Sequence, residues 1–224
     1  MSAVPMLAGV GLLSVCCISS SVAAAMMGGG SDGGDTSGGS GTTPTPTIKI
    51  RDEATPSNEF AGGSMIHLDR HNVDCGSDGL TGFSLDKDGA SKMLYNYKCR
   101  DGIGGSLSAE KNSGPNDWGN NNVIYLDRHT LDCGKKPIAQ FKLYRPQSNK
   151  IAYKYKCNET EATGACRELD VVSTVTGKRN KTDTLIEADP QCGEGEVLTK
   201  FKHYRANPNT PNESAAYKYT CCKM

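Results

Sequence analysis

Hydrophobic and polar positions alternate in short stretches through the second half of this chain, and cysteines close the stretches. In Tyr95-Asn96-Tyr97-Lys98-Cys99 two rings and a sulfur fall on one face of an extended strand, while Asn and Lys fall on the other. The phrase returns as Tyr153-Lys154-Tyr155-Lys156-Cys157 and as Tyr217-Lys218-Tyr219-Thr220-Cys221. Each copy opens with Cys-Gly, at Cys75, Cys133 and Cys192, and continues into a strand centred on Phe83, Phe141 or Phe201. The opening cysteines lie 58 and then 59 residues apart, so three copies of one unit are stacked or set around an axis. Alternation over Met65–Cys75 and Val123–Cys133 predicts a further strand in the first two units, and nothing in the body has helical periodicity. Each unit therefore reads as three or four short antiparallel strands joined by polar turns such as Lys87-Asp88-Gly89.

One unit has too few apolar residues to bury both faces of its strands, so the three must share a core. The expected fold is all-β: three Cys-bounded antiparallel repeats of about 58 residues in a threefold β-prism, with a β-trefoil as the alternative. The run of cysteine, Phe-centred strand and closing Tyr-x-Tyr-x-Cys strand, with Trp118-Gly119 ahead of the second copy, resembles the vitelline membrane outer layer protein family. That resemblance implies the prism architecture.

Composition changes sharply near residue 48 and divides the chain in three. Residues 3–27 carry no charge, and their length suits a membrane-spanning helix of ~20 residues, so residues 1–27 are read as a transmembrane anchor. A signal peptide cleaved near Ala23-Ala24-Ala25 is the other reading, although the usual basic n-region is missing. Residues 28–47, rich in Gly, Ser, Thr and Pro, form a tether, and residues 48–224 form the β body. Every Lys and Arg lies at or beyond Lys49. The whole chain has 25 basic and 25 acidic groups, and this balance argues against a nucleic-acid-binding face.

Eight of the ten cysteines lie in the body. Cys75, Cys99, Cys133, Cys157, Cys192 and Cys221 occupy repeated positions, and Cys166 and Cys222 are left to join each other. An even count at regular spacing reads as a disulfide framework formed under oxidising conditions. Bridges within each repeat are favoured, and bridges between repeats are equally permitted by spacing. No Cys-x-x-Cys hook is present in the framework, so no metal is expected.

The most site-like feature is Leu68-Asp69-Arg70-His71, repeated as Leu126-Asp127-Arg128-His129. An acid, a base and an imidazole could serve catalysis or anion binding. The third copy aligns as Ile186-Glu187-Ala188-Asp189 and has neither Arg nor His. A structural ion pair that secures the repeat is therefore the preferred reading, and no catalytic residue, cofactor or small-molecule substrate is expected. His67 and His203 read as surface or turn histidines. Sequons at Asn158, Asn180 and Asn212 stand in polar, loop-like segments as candidate glycosylation sites.

The uncharged head ending Ala23-Ala24-Ala25-Met26-Met27-Gly28-Gly29-Gly30, joined to repeats closing in Tyr-x-Tyr-x-Cys, resembles the small membrane-anchored structural proteins of large icosahedral DNA viruses of algae and protists. The resemblance implies a minor capsid protein lying between the capsid shell and an inner membrane. It would be held in lipid by residues 3–27 and would contact major and other minor capsid proteins. It also implies a source of disulfides without secretion, since such viruses commonly encode thiol oxidases. A secreted or cell-surface, lectin-like binding module is the alternative.

Overall fold

A computed structural model describes residues 48–176, 181–210 and 213–224 of the protein. The first unit contains β1 (Ile50–Ala54), β2 (Asn58–Glu59), β3 (Val73–Asp74), β4 (Gly79–Asp88) and β5 (Lys92–Arg100). The second contains β6 (Lys111–Asn112), β7 (Asn116–Asp117), β8 (Thr130–Asp132), β9 (Ile138–Gln147) and β10 (Lys150–Cys157). The third contains β11 (Cys166–Val172), β12 (Glu196–Ala206) and β13 (Ser214–Lys223). The fold is thus mostly antiparallel β. In each unit the Phe strand and the Tyr-x-Tyr-x-Cys strand form the central pair, because both carry apolar residues at every second position and bury one face.

The described residues form three sheets; two of them take a strand from a neighbouring unit, and the first receives an isolated bridge. In the first, β5 lies between β4 and the shorter β1 and β2; the second runs β3-β9-β10-β6 with β7 also on β10; the third runs β11-β13-β12-β8. Thus β3 of unit one pairs with β9 of unit two, Val73 opposite Phe141, and β8 of unit two pairs with β12 of unit three, Leu131 opposite Phe201. Unit three completes the cycle: Gln191 bridges Gly82, and Phe83 N–H donates to Pro190 O at 3.1 Å. This last crossing requires glycine, since a Cβ on Gly82 would lie 2.4 Å from Gln191 Oε1 and 2.7 Å from Pro190 O.

The three phenylalanines meet one another. Ring centroids are 5.1 Å apart for Phe83–Phe141, 5.1 Å for Phe141–Phe201 and 5.0 Å for Phe83–Phe201. Tyr95, Tyr153 and Tyr217 pack against them mostly edge-on, the geometry favoured by the ring quadrupoles. The second tyrosine of each phrase instead reaches a backbone carbonyl beside its own unit's first cysteine. Tyr97 Oη donates to Asp74 O, Tyr155 Oη to Asp132 O and Tyr219 Oη to Gln191 O, at 3.3–3.4 Å. The rings and sulfurs therefore share the buried face that the alternation predicts, and the intervening Asn96, Lys98, Lys154 and Lys156 face outward.

The body contains four disulfides: Cys75–Cys99, Cys133–Cys157, Cys192–Cys221 and Cys166–Cys222. Three of them close their own repeat, and the fourth joins the remaining pair. The recurrent Cys-Gly is a turn in the first two units, with Gly76 at φ 65° and Gly134 at φ 68°. Asp74 and Asp132 cap it by accepting from Gly76 N–H and Gly134 N–H at 2.8 Å.

Two expectations need correction. Met65–Arg70 and Val123–Arg128 are 3-10 turns, not strands, and only Val73–Asp74 and Thr130–Asp132 are extended. The reason is the three-residue period: Met65 with Leu68, and Val123 with Leu126, lie on one side of such a turn and are buried together. His203 is not a surface histidine either, but lies buried on β12. The helix expected over residues 3–27 and the tether 28–47 lie outside the described residues. Among the described residues no helix is long and apolar enough to cross a membrane.

Candidate functional site

The repeated Leu-Asp-Arg-His motif ends each 3-10 turn. His71 N–H closes the first turn on Leu68 O at 3.3 Å, and His129 N–H closes the second on Leu126 O at 3.1 Å. Both imidazoles are buried and lie edge-on to the inner tyrosine of their own unit, His71 at 5.8 Å from Tyr95 and His129 at 5.9 Å from Tyr153. Each Nδ1 meets a hydroxyl at 2.8 Å, Thr55 Oγ1 for His71 and Ser113 Oγ for His129. That oxygen already accepts the tyrosine's backbone N–H, at 3.0 Å from Tyr95 and 2.9 Å from Tyr153. One hydroxyl thus ties each imidazole to the backbone of its tyrosine strand, while the buried Nε2 of each ring has no hydrogen-bond partner. Burial pushes both imidazoles below their ordinary value, His129 to about 4, so they are neutral near pH 7.

The carboxylates of the motif face another unit. Asp69 pairs with Arg145 at 2.9 Å, and Asp127 with Arg205 at 3.5 Å. In the third unit Asp183 pairs with Lys87 at 2.6 Å. These three basic residues stand four positions after Phe141, Phe201 and Phe83, so the ion pairs tie unit one to two, two to three and three to one. Arg70 pairs instead with the exposed Glu59 at 3.1 Å, and Arg128 stacks over the Tyr125 ring at 4.2 Å.

The third unit solves the same corner differently. Ala188 N–H bonds Leu185 O at 3.3 Å, so the structural counterpart of Leu68–His71 is Leu185–Ala188, one residue earlier than the aligned Ile186–Asp189. The position of the histidine is therefore Ala188, and strand register places Val171 opposite Tyr217 where Thr55 would stand. An imidazole is nevertheless present against the ring. His203, on β12 where units one and two have Leu85 and Leu143, lies edge-on to Tyr217 at 5.6 Å. Neither of its ring nitrogens has a hydrogen-bond partner, burial pushes it down to about 3, and it borders a cavity of about 10 Å³, the size of one water.

Of the sequons, Asn158 is fully buried, which corrects its reading as a loop site. Its Nδ2 donates to Ser77 O and, at 2.6 Å, to Gly104 O, while its Oδ1 accepts Thr160 N–H at 2.6 Å. A glycan on Nδ2 would replace one of these two N–H donors at a fully buried nitrogen. Asn180 and Asn212 lie outside the described residues.

Protein families, curated proteins and solved structures offer no match to this chain.

A cleft of about 460 Å³ opens between β1 and the loop 191–195 and is lined by Ile48, Ile50, Asp52, Lys98, Gln191 and Glu194. Cys192, Glu196 and Cys221 also lie close together, but the two sulfurs are bonded to each other and Glu196 is held by Arg167 at 2.7 Å, so the group is poorly suited to a cation. The hydroxyls of Thr55 and Ser113 were not singled out by sequence, and Asn158 was named only as a sequon. The basic partners carried a readable signal, Phe-x-x-x-Lys/Arg in all three copies.

Proposed function

We propose that this protein is a non-enzymatic structural component, a rigid threefold β-prism that presents its outer strands and loops to neighbouring proteins. The observation that carries the reading is the internal engagement of the one motif suited to chemistry. Its imidazoles are buried against tyrosines and its carboxylates join unit to unit. The mutual contact of three phenylalanines and the cyclic strand pairing support the prism, and four disulfides suit a module that must hold shape under load. The apolar segment 3–27 supports a setting as a minor capsid protein anchored in a virion's inner membrane, with capsid proteins as partners.

Liposome flotation of the full chain and of residues 28–224, followed by cross-linking mass spectrometry on particles containing the protein, tests this. The expected result is flotation that needs residues 1–27, an intact Met1 or Ser2, and cross-links from the β body to other structural proteins. Cleavage near Ala25 with a freely soluble body would overturn the anchored reading. The 460 Å³ cleft favours the second reading, a lectin-like binding module, because its size suits a small glycan. Saturable glycan binding lost in Lys98→Ala would establish that reading in place of the first.

A further inference from the structure

The four disulfides are not alike. Cys75, Cys99, Cys133, Cys157 and Cys221 are buried and Cys192 is half-buried, whereas Cys166 is exposed at the start of the edge strand β11. Its partner Cys222 is buried and faces it directly across β11 and β13. The two Cα atoms are 4.0 Å apart, against 5.5–5.8 Å in the other three bridges. This bridge also has no counterpart in units one and two, whose outer strands β1 and β6 carry no disulfide to β5 or β10. Opening it therefore leaves the repeated framework in place. The buried sulfur has a polar neighbour, since Thr199 Oγ1 lies 3.5 Å from Cys222 Sγ.

We propose that Cys166–Cys222 is a thiol-exchange site, at which a small aliphatic thiol of the glutathione class becomes attached to Cys166. The incoming thiolate attacks Sγ of the exposed residue Cys166, and a new S–S bond forms there. The Cys166–Cys222 bond breaks, and its electron pair leaves on Cys222 Sγ. The Thr199 hydroxyl, which donates to Thr220 O at 3.4 Å while the bridge is closed, turns its proton to Cys222 Sγ and stabilises that thiolate until it takes a proton from water. One disulfide replaces another, so no oxidant or reductant is consumed. Access selects the sulfur attacked, and leaving-group stabilisation sets the rate.

The test is to incubate the oxidised full chain with glutathione near neutral pH, quench with acid, alkylate, and map every cysteine by mass spectrometry. A single glutathione on Cys166 with alkylated Cys222 is expected, at least ~10-fold faster than modification at any of the other six. An adduct forming first at any of the other six cysteines of the β body, or all eight of the body's cysteines reacting together at one rate, overturns the proposal. Thr199→Val, checked for an unchanged circular dichroism spectrum, is expected to slow the exchange several-fold; an unchanged rate overturns the role given to Thr199. Cys222→Ser leaves Cys166 as an unpaired thiol, and failure of that thiol to label in the folded protein overturns the claim of access.

Discussion

Units one and two fill the corner beside their inner tyrosine with a histidine from a 3-10 turn and a hydroxyl from an edge strand. Unit three fills it with Ala188, Val171 and an imidazole that arrives from β12. The edge-on contact with the tyrosine survives while the residue supplying it changes element. Packing, rather than proton chemistry, is the constraint the three corners share.

The comparison can be broken at the axis, where the largest effect is expected. Phe83→Ala, Phe141→Ala and Phe201→Ala should each cost about 3–5 kcal/mol in denaturant titrations, because each empties a buried ring site between two others. A value under about 1 kcal/mol at any one of them would show that the units do not share the axis equally.

Removal of one intra-repeat bridge, Cys133→Ser with Cys157→Ser, comes next. Releasing a loop of 24-residue separation is expected to cost roughly 3 kcal/mol on the chain-entropy account. Equal loss on removing Cys192–Cys221 would extend the equivalence of units to the third.

Acid unfolding sharpens the contrast between corners. The folded imidazoles of His71, His129 and His203 protonate below their ordinary value, whereas in the unfolded chain they protonate near pH ~6.5. Below that pH the unfolded state binds more protons, so stability is complete above it and falls as pH drops. The slope is up to about 1.4 kcal/mol per pH unit for each imidazole. His203→Leu, which installs the residue of the other two units, should remove one proton's worth of that slope. Urea midpoints measured from pH 7 to 4 decide it, and an unchanged slope would mean that His203 protonates freely when folded.

The smallest effect belongs to the ion pairs. Asp69→Asn and Asp127→Asn should each cost about 0.2–1 kcal/mol and less in high salt, as for partly exposed pairs. A loss above about 2 kcal/mol would mean that these pairs act as buried rather than partly exposed charges.

Much of the fold was legible because a period of two is unambiguous when aromatics and cysteines occupy it, as in Tyr95 to Cys99. Recurrence made the bridges readable: a cysteine that opens and one that closes each copy have obvious mates, and Cys166 and Cys222 were left over. The 3-10 turns escaped because six residues hold only two periods of three, too few to stand out from alternation. The corner of unit three escaped for a different reason. Its imidazole left the motif altogether, and no count of spacing links His203 to His71. Asn158 read as a loop residue because a polar side chain satisfied by two distant backbone carbonyls and one nearby backbone N–H looks, in sequence, like one that faces water.

One consequence of the cyclic pairing lies at Gly195. The side chains of Ile48, which opens the described body, and Lys223, close to its other end, both come within 4 Å of where a Cβ on Gly195 would stand, and Met224 N–H donates to Gly195 O at 3.0 Å. The body is in effect a closed ring that happens to be cut there. Residues 48 and 224 could be joined by a short linker and the chain reopened between Ser148 and Asn149, with every strand keeping its present neighbour; the order in which the three units are synthesised is then incidental to the shape they reach.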